Sequence, residues 1–468
     1  LGLVIVFLRP LGLRLLLFTA LCGLFLFMFM DSLAYLFPYH EQQNLFLFSH
    51  AYLDTFLSAP GKLGEYLANF IVQFFYLPYT GKVIFAFILS LLYLFPELCC
   101  KRLTGKHDPL HLAILPPLYL FVQFESLGFE ISWATSLFCC FFLLFLLSFL
   151  PKKIFYITLL PFFLLTGFAL GWIYPAVALS VCVATQLSAL SLSRFGKHKK
   201  RYAGCSILCI GIYAAGTFYI FIYSYNMRER LLLEAEDHLK KQEWELVLDC
   251  TRKYRGENQL NDYFRNMALY HTGRMPYDLL NYSQSYGINS LFLPWTGDTQ
   301  QSRYGHYIYE QLGYLNEAQR WAFESLVVNG ETAPNLTNLI RYNIANGRPE
   351  VALRFIRVLK QSLFYRKQAG EYEKIAYTGQ VPGLKALPHT EEKKARFSNI
   401  QNLGPELIYI CDRDSSNQMA FEYLMSYLIL SNRQKQFVEN LPRIQAFSYP
   451  GMPPLYQEIL NRYQQNQQ

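Results

Sequence analysis

Seven apolar stretches in the first 225 residues, with basic residues collected between alternate pairs of them, constrain this chain more than any other feature. A helix needs ~20 mostly apolar residues to cross the hydrocarbon core of a bilayer. Candidate spans are residues 11–30, 82–98, 109–124, 131–150, 154–172, 174–192 and 202–225. The third is short and carries Pro116-Pro117. A membrane helix tolerates such prolines when neighbouring helices or water satisfy the freed carbonyls.

Loop charges orient the bundle, because Lys and Arg are retained on the cytoplasmic side. Arg9 and Arg14 flank the first span, Lys101, Arg102 and Lys106 follow the second, and Lys152 and Lys153 follow the fourth. Arg194, Lys197, Lys199, Lys200 and Arg201 follow the sixth. All four clusters fall on one side if every stretch crosses, whereas a re-entrant third stretch would strand Lys152 and Lys153 outside. This predicts a cytoplasmic N-terminus and an extracytoplasmic residue 226–468 half. Ser32-Leu33-Ala34 is a poor small-x-small site at which a signal peptide could end, and cleavage there would leave the later loops where they are. The chain opens on Leu1 rather than Met, which predicts residues upstream.

The composition splits at the same place. Residues 1–225 carry 14 Lys+Arg against 8 Asp+Glu, and the rest carry 28 against 26, an ordinary soluble density without the basic excess that nucleic acid requires. Eight of the ten cysteines lie in or beside apolar stretches, where Cys acts as a small hydrophobe. Cys250 and Cys411 fall in the polar half, and their pairing is left open.

One loop in the membrane half is long, residues 31–81. Its apolar residues keep near-helical spacing on either side of Pro60-Gly61, which predicts two amphipathic helices along the interface with Asp54, Lys62, Glu65 and Asn69 facing away. Ahead of them stands Tyr39-His40-Glu41-Gln42-Gln43, an ionisable cluster near the bilayer surface. Glu41 there either starts the interfacial helix, where a carboxylate favours the positive dipole end, or serves function. The layout of residues 11–225 resembles glycosyltransferase C enzymes, multispanning proteins with an acidic residue in the first outer loop. The resemblance implies a polyprenyl-phosphate-linked sugar donor and Glu41, beside His40, as general base. It also implies Glu65, Glu125 or Glu130 as assisting carboxylates, and Lys62 or Lys82 as phosphate-holding cations. The family pairs two acids where this chain has His40-Glu41, so no metal site is expected, and no pattern names a cofactor.

From residue 226 the periodicity is helical and it repeats. Gly313 and Gly347, and Ala318 and Ala352, stand 34 residues apart, with looser echoes at residues 241–248, 270–275 and 430–433. The period resembles tetratricopeptide repeats, which implies stacked helix pairs and a groove for a peptide or protein helix. Residues 282–304 and 377–390 read as surface loops, the second able to form a short hairpin. No paired histidines, phosphate loop or nucleophile elbow occurs. The Phe75–Tyr79 lead-in to span two and residues 453–458, together with His40-Glu41-Gln42, resemble a family of uncharacterised bacterial membrane proteins, implying the inner membrane. The expected fold class is all-α: a seven-span bundle over 1–225, then an extracytoplasmic tetratricopeptide-like domain over 226–468. The function reading stays double, a glycosyltransferase C-like transferase or a non-enzymatic scaffold that recruits partners.

Overall fold

The computed structural model describes residues 10–191, 199–295, 299–387, 399 and 402–466, and every regular element among them is a helix. Arg9, Arg194, Lys197 and Pro388-His389 lie outside the described residues, as do the side chains of Lys199, Lys200 and Arg201. The chain divides into two compact units, Leu1–Asn226 with Ser362–Phe364 and Met227–Gln361 with Tyr365–Gln468.

The first unit holds α1 (Pro10–Met30), α2 (Leu36–Gln43), α3 (His50–Leu57), α4 (Leu63–Val72), α5 (Thr80–Thr104), α6 (Leu115–Gln123), α7 (Ile131–Leu147), α8 (Lys152–Leu170), α9 (Ile173–Ser191) and α10 (Lys199–Ser224). Five of these, α1, α5, α8, α9 and α10, are long and apolar enough to cross a membrane. Helix α6 has 9 residues, roughly 14 Å at 1.5 Å per residue, well short of a ~30 Å hydrocarbon core. The cause is Pro116-Pro117. The structure seats both in the first turn of α6, where a missing N–H costs no hydrogen bond, so the helix begins there instead of running through them. A 3-10 turn, Leu112–Ile114, and an irregular segment with His111 at φ 50° precede it.

Aromatic packing seats the long loop on this bundle. Phe29 of α1 meets Phe37 of α2 at 5.1 Å between ring centroids, Phe124 at 5.3 Å and Phe85 of α5 at 5.6 Å. The predicted interfacial helices form as α3 and α4, broken at Pro60-Gly61. Gly64, Ala68 and Val72, spaced four apart, are the buried stripe of α4, which packs on α7. The approach is close enough that a Cβ on Gly64 would lie 2.0 Å from Ser136 Oγ, and the Thr135 hydroxyl donates 3.2 Å to the Gly64 carbonyl.

The second unit repeats one turn. Helix pairs α11 (Met227–Lys240) with α12 (Trp244–Lys253), α13 (Gln259–His271) with α14 (Met275–Asp278), and, after α15 (Thr299–Ser302), α16 (His306–Gln311) with α17 (Leu315–Asn329) open the array. Next come α18 (Ala333–Ala345) with α19 (Pro349–Leu359), then α20 (Arg366–Ile375), α21 (Leu403–Arg413), the pair α22 (Gln418–Leu430) and α23 (Gln434–Asn440), and α24 (Pro454–Gln465). Each of the five pairs is joined through a left-handed residue: Gln242 (φ 60°), Gly273 (68°), Gly313 (76°), Gly347 (67°) and Asn432 (54°). The next residue's N–H reaches back five positions, from Glu243, Arg274, Tyr314, Arg348 and Arg433 to the carbonyls of His238, Leu269, Tyr309, Asn343 and Leu428, at 2.8–2.9 Å. This Schellman geometry satisfies carbonyls orphaned at a helix end and turns the chain back on itself. It falls at each of the repeat echoes in the sequence. Ala318 and Ala352 are fully buried, as close helix packing requires.

Two expectations are corrected here, and one open question is answered. Leu291, Phe292 and Leu293, inside the segment read as a surface loop, are core residues, because this apolar triplet outweighs its polar flanks. Residues 378–387 form turns and irregular chain rather than a hairpin, held instead by the Leu387 N–H on the Gly313 carbonyl at 3.0 Å. Cys250 and Cys411 are separate buried thiols.

Candidate functional site

The long loop and the turn before α7 enclose a polar cavity of about 430 Å³. His40, Gln43 and Asn44 contribute one side; they stand at i, i+3 and i+4 and so share a face. Glu65 and Asn69 of α4 contribute another, and Glu130 and Ser132 close it from the start of α7. The Ser132 hydroxyl donates 3.1 Å to Glu130 Oε2, and the Asn69 amide donates 2.9 Å to the Tyr52 hydroxyl. His40 is 4 % exposed and stacks on Phe124 at 5.4 Å. Burial lowers its pKa to about 4, so the imidazole is neutral at pH 7.

The sequence-predicted residues are thereby sorted. His40, Glu65 and Glu130 converge on the cavity. Glu41, one position and about 100° round the helix from His40, is buried and outside the lining. It also stands in the last turn of α2, so the reading of a carboxylate at a positive helix start does not apply. Glu65 and Asn69 do not face away as expected, because the buried stripe of α4 turns their side of the helix toward the cavity. Asp54 and Lys62 are exposed. Lys82 lies 5.8 Å from the Phe37 ring, outside the lining. Glu125 is buried, accepting from the Ser224 hydroxyl at 2.7 Å and the Asn226 N–H at 3.0 Å, and thus fastens the end of α10.

An apolar groove of about 700 Å³ adjoins the same end of α7. Leu115, Tyr119, Trp133, Leu137, Tyr174 and Val177 are among its walls. Tyr174 also feels the charges of Glu130 and Glu65, so it stands between groove and cavity.

A second polar cluster escaped the sequence reading. Arg14, read there as a flanking charge, is 2 % exposed; its Nε donates 2.9 Å to Glu97 Oε1 and its Nη2 donates 2.9 Å to the Asp108 carbonyl. His107 Nδ1 meets the same Glu97 oxygen at 2.8 Å. The Asp108 carboxylate accepts from the N–H groups of Leu110 and Leu112 and from the Ser188 hydroxyl. Hydroxyls of Ser206 and Tyr213 donate to the carbonyls of Pro109 and Leu110. One irregular segment is thus tied to α1, α5, α9 and α10. The available signal was Glu97, a lone carboxylate inside an apolar helix, which demands a partner. Among the described residues no three His, Cys, Asp or Glu side chains are placed to hold a metal ion.

Several apolar helices of spanning length, set before a unit of paired helices, define a polytopic helical membrane protein. The chain belongs to a family of unknown function, DUF6057, whose model matches residues 9–185 and 169–468. No curated protein and no solved structure matches it.

Proposed function

We propose that this protein is a seven-span transferase that moves a sugar from a polyprenyl-phosphate donor to an acceptor on the outer face of the bacterial inner membrane. The observation that carries the reading is the carboxylate-lined cavity beside an apolar groove, joined at Tyr174. A lipid-linked donor needs both environments, hydrocarbon for its chain and hydrogen-bonding groups for its sugar, with its phosphate held outside the carboxylate-lined cavity. Helices α6 and α7 complete the third and fourth crossings with their flanking turns, and the loop charges orient the cavity outward with the second unit.

In this reading Glu65 is the general base that takes the acceptor hydroxyl's proton as the sugar leaves its phosphate. Glu41, buried outside the lining, acts indirectly. Lys62 and Lys82 sit outside the cavity as membrane-surface cations. The test is the surface-glycan profile of cells carrying Glu65→Gln or Glu41→Gln at wild-type membrane levels. Loss of a glycan with Glu65→Gln is expected, and an unchanged profile sinks the transferase reading.

The five identical turns favour a second reading, in which the tetratricopeptide-like unit recruits a peptide or protein partner. Trp244, stacked on His271 at 3.9 Å between centroids, bridges the first two pairs. If Trp244→Ala abolishes a co-purifying partner while Glu65→Gln changes nothing, the scaffold reading replaces the first.

A further inference from the structure

We propose that the cavity lined by His40, Glu65 and Glu130 binds a protonated amine with a neighbouring oxygen, the chemistry shared by amino sugars and ethanolamine headgroups. The inference rests on the reading of this cavity as a substrate site and names what enters it. Its polar lining is rich in acceptors. Glu65 and Glu130 supply carboxylates, and the lining contains no Lys or Arg. Asn44 and Asn69 each donate one amide N–H elsewhere at 2.9 Å, to the His40 carbonyl and the Tyr52 hydroxyl, and each keeps a carbonyl oxygen that can accept.

The second observation is independent of the acids. His40 is 4 % exposed, and its Nε2 has no hydrogen-bond partner. A buried polar atom left unpaired is costly, and with the imidazole proton on Nδ1 a ligand N–H donating to Nε2 recovers that cost. Gln43 Nε2 is likewise unpartnered, a donor suited to an oxygen next to the amine. A divalent ion needs several oxygens within close coordination distance. Acceptors spread around about 430 Å³ suit an organic ammonium with three N–H donors instead. An anionic group would meet two carboxylates and no cation.

The test is calorimetric titration of the full-length protein in phosphatidylcholine nanodiscs with glucosamine, ethanolamine, N-acetylglucosamine and inorganic phosphate. Glucosamine and ethanolamine are expected to bind, with N-acetylglucosamine and phosphate about tenfold weaker or worse. Glu65→Gln and Glu130→Gln should each weaken glucosamine about tenfold, with the melting temperature confirming a folded protein. Glu130 is exposed, so that variant carries the test if Glu65→Gln does not fold. Repeating the titration in phosphatidylethanolamine nanodiscs separates the sources: competition with glucosamine identifies a lipid headgroup, and its absence an amino sugar, either supporting the site. N-acetylglucosamine binding as tightly as glucosamine, no probe binding, or no loss in both variants overturns the proposal. The transferase reading fails separately, when amine binding stands but the cellular glycan profile ignores Glu65→Gln.

Discussion

Replacing Arg14 by Met should destabilise this protein far more than replacing Arg14 and Glu97 together. Arg14 and Glu97 are 2 % and 0 % exposed, and their 2.9 Å contact lies about two turns from the end of α5. Removing one partner of a buried ion pair costs about 3–5 kcal/mol, because the other charge stays buried without compensation. His107, still 2.8 Å from the same carboxylate oxygen, offsets part of that, so Arg14→Met should fall near the lower figure, about 3 kcal/mol. The double variant Arg14→Met, Glu97→Leu removes both charges and replaces them with apolar groups, and should return to within about 1 kcal/mol of wild type. Arg14→Lys should fall between, since an ammonium lacks the planar fork that reaches Glu97 and the Asp108 carbonyl at once. Denaturant unfolding of the full-length protein in micelles, run as a double-mutant cycle, reads the coupling directly. Additive losses, or an Arg14→Met cost below about 1 kcal/mol, would refute the view that this network clamps the bundle.

The repeated turn predicts a graded series. Gly347→Ala should cost about 1–2 kcal/mol, all of it backbone, since a Cβ there meets open space at φ 67°. Gly313→Ala should cost more, because its Cβ would also press 3.0 Å from the Lys385 carbonyl oxygen; Gln242→Gly should gain about 0.5–1 kcal/mol, all read by chemical denaturation. Gly64→Val should lift α4 off α7 by collision with Ser136, raising amide hydrogen exchange across Leu63–Val72 and abolishing binding in the cavity. Acid should loosen the second unit through His306, whose pKa burial lowers from 6.5 to about 4. The unfolded chain takes the proton first, so stability present above pH 6.5 is lost on the way to pH 4, about 3 kcal/mol in all, and His306→Gln should flatten that slope in a pH-dependent melt.

Elements with a strong period were legible in the chain. Six of the apolar stretches became helices with ends within about six residues of those expected, the third became only the short α6, and Pro60-Gly61 divided α3 from α4. The looser echoes, too, marked real turns, at Gln242 and Asn432, where no glycine announces them. The candidate site was legible only as a neighbourhood. Glu41 drew attention as the acid of the polar cluster after span one, yet the face that lines the cavity is His40, Gln43 and Asn44, a spacing visible in the sequence once α2 is known to be helical. Glu65 and Glu130 lie 65 residues apart in the chain, and nothing local joins them.

By itself the sequence determined what solvation and periodicity decide: which segments avoid water, where helices start and stop, and where pairs of helices turn. Those effects act within a few residues, so a single chain records them. Tertiary structure alone decided which polar groups meet. It took α4 packing through Gly64 onto α7 to bring Glu65 and Glu130 to one cavity, and the folding of His107 and Asp108 back onto α5 and α1 to bury Arg14 against Glu97. Such meetings depend on close packing between distant segments, and no local pattern encodes them.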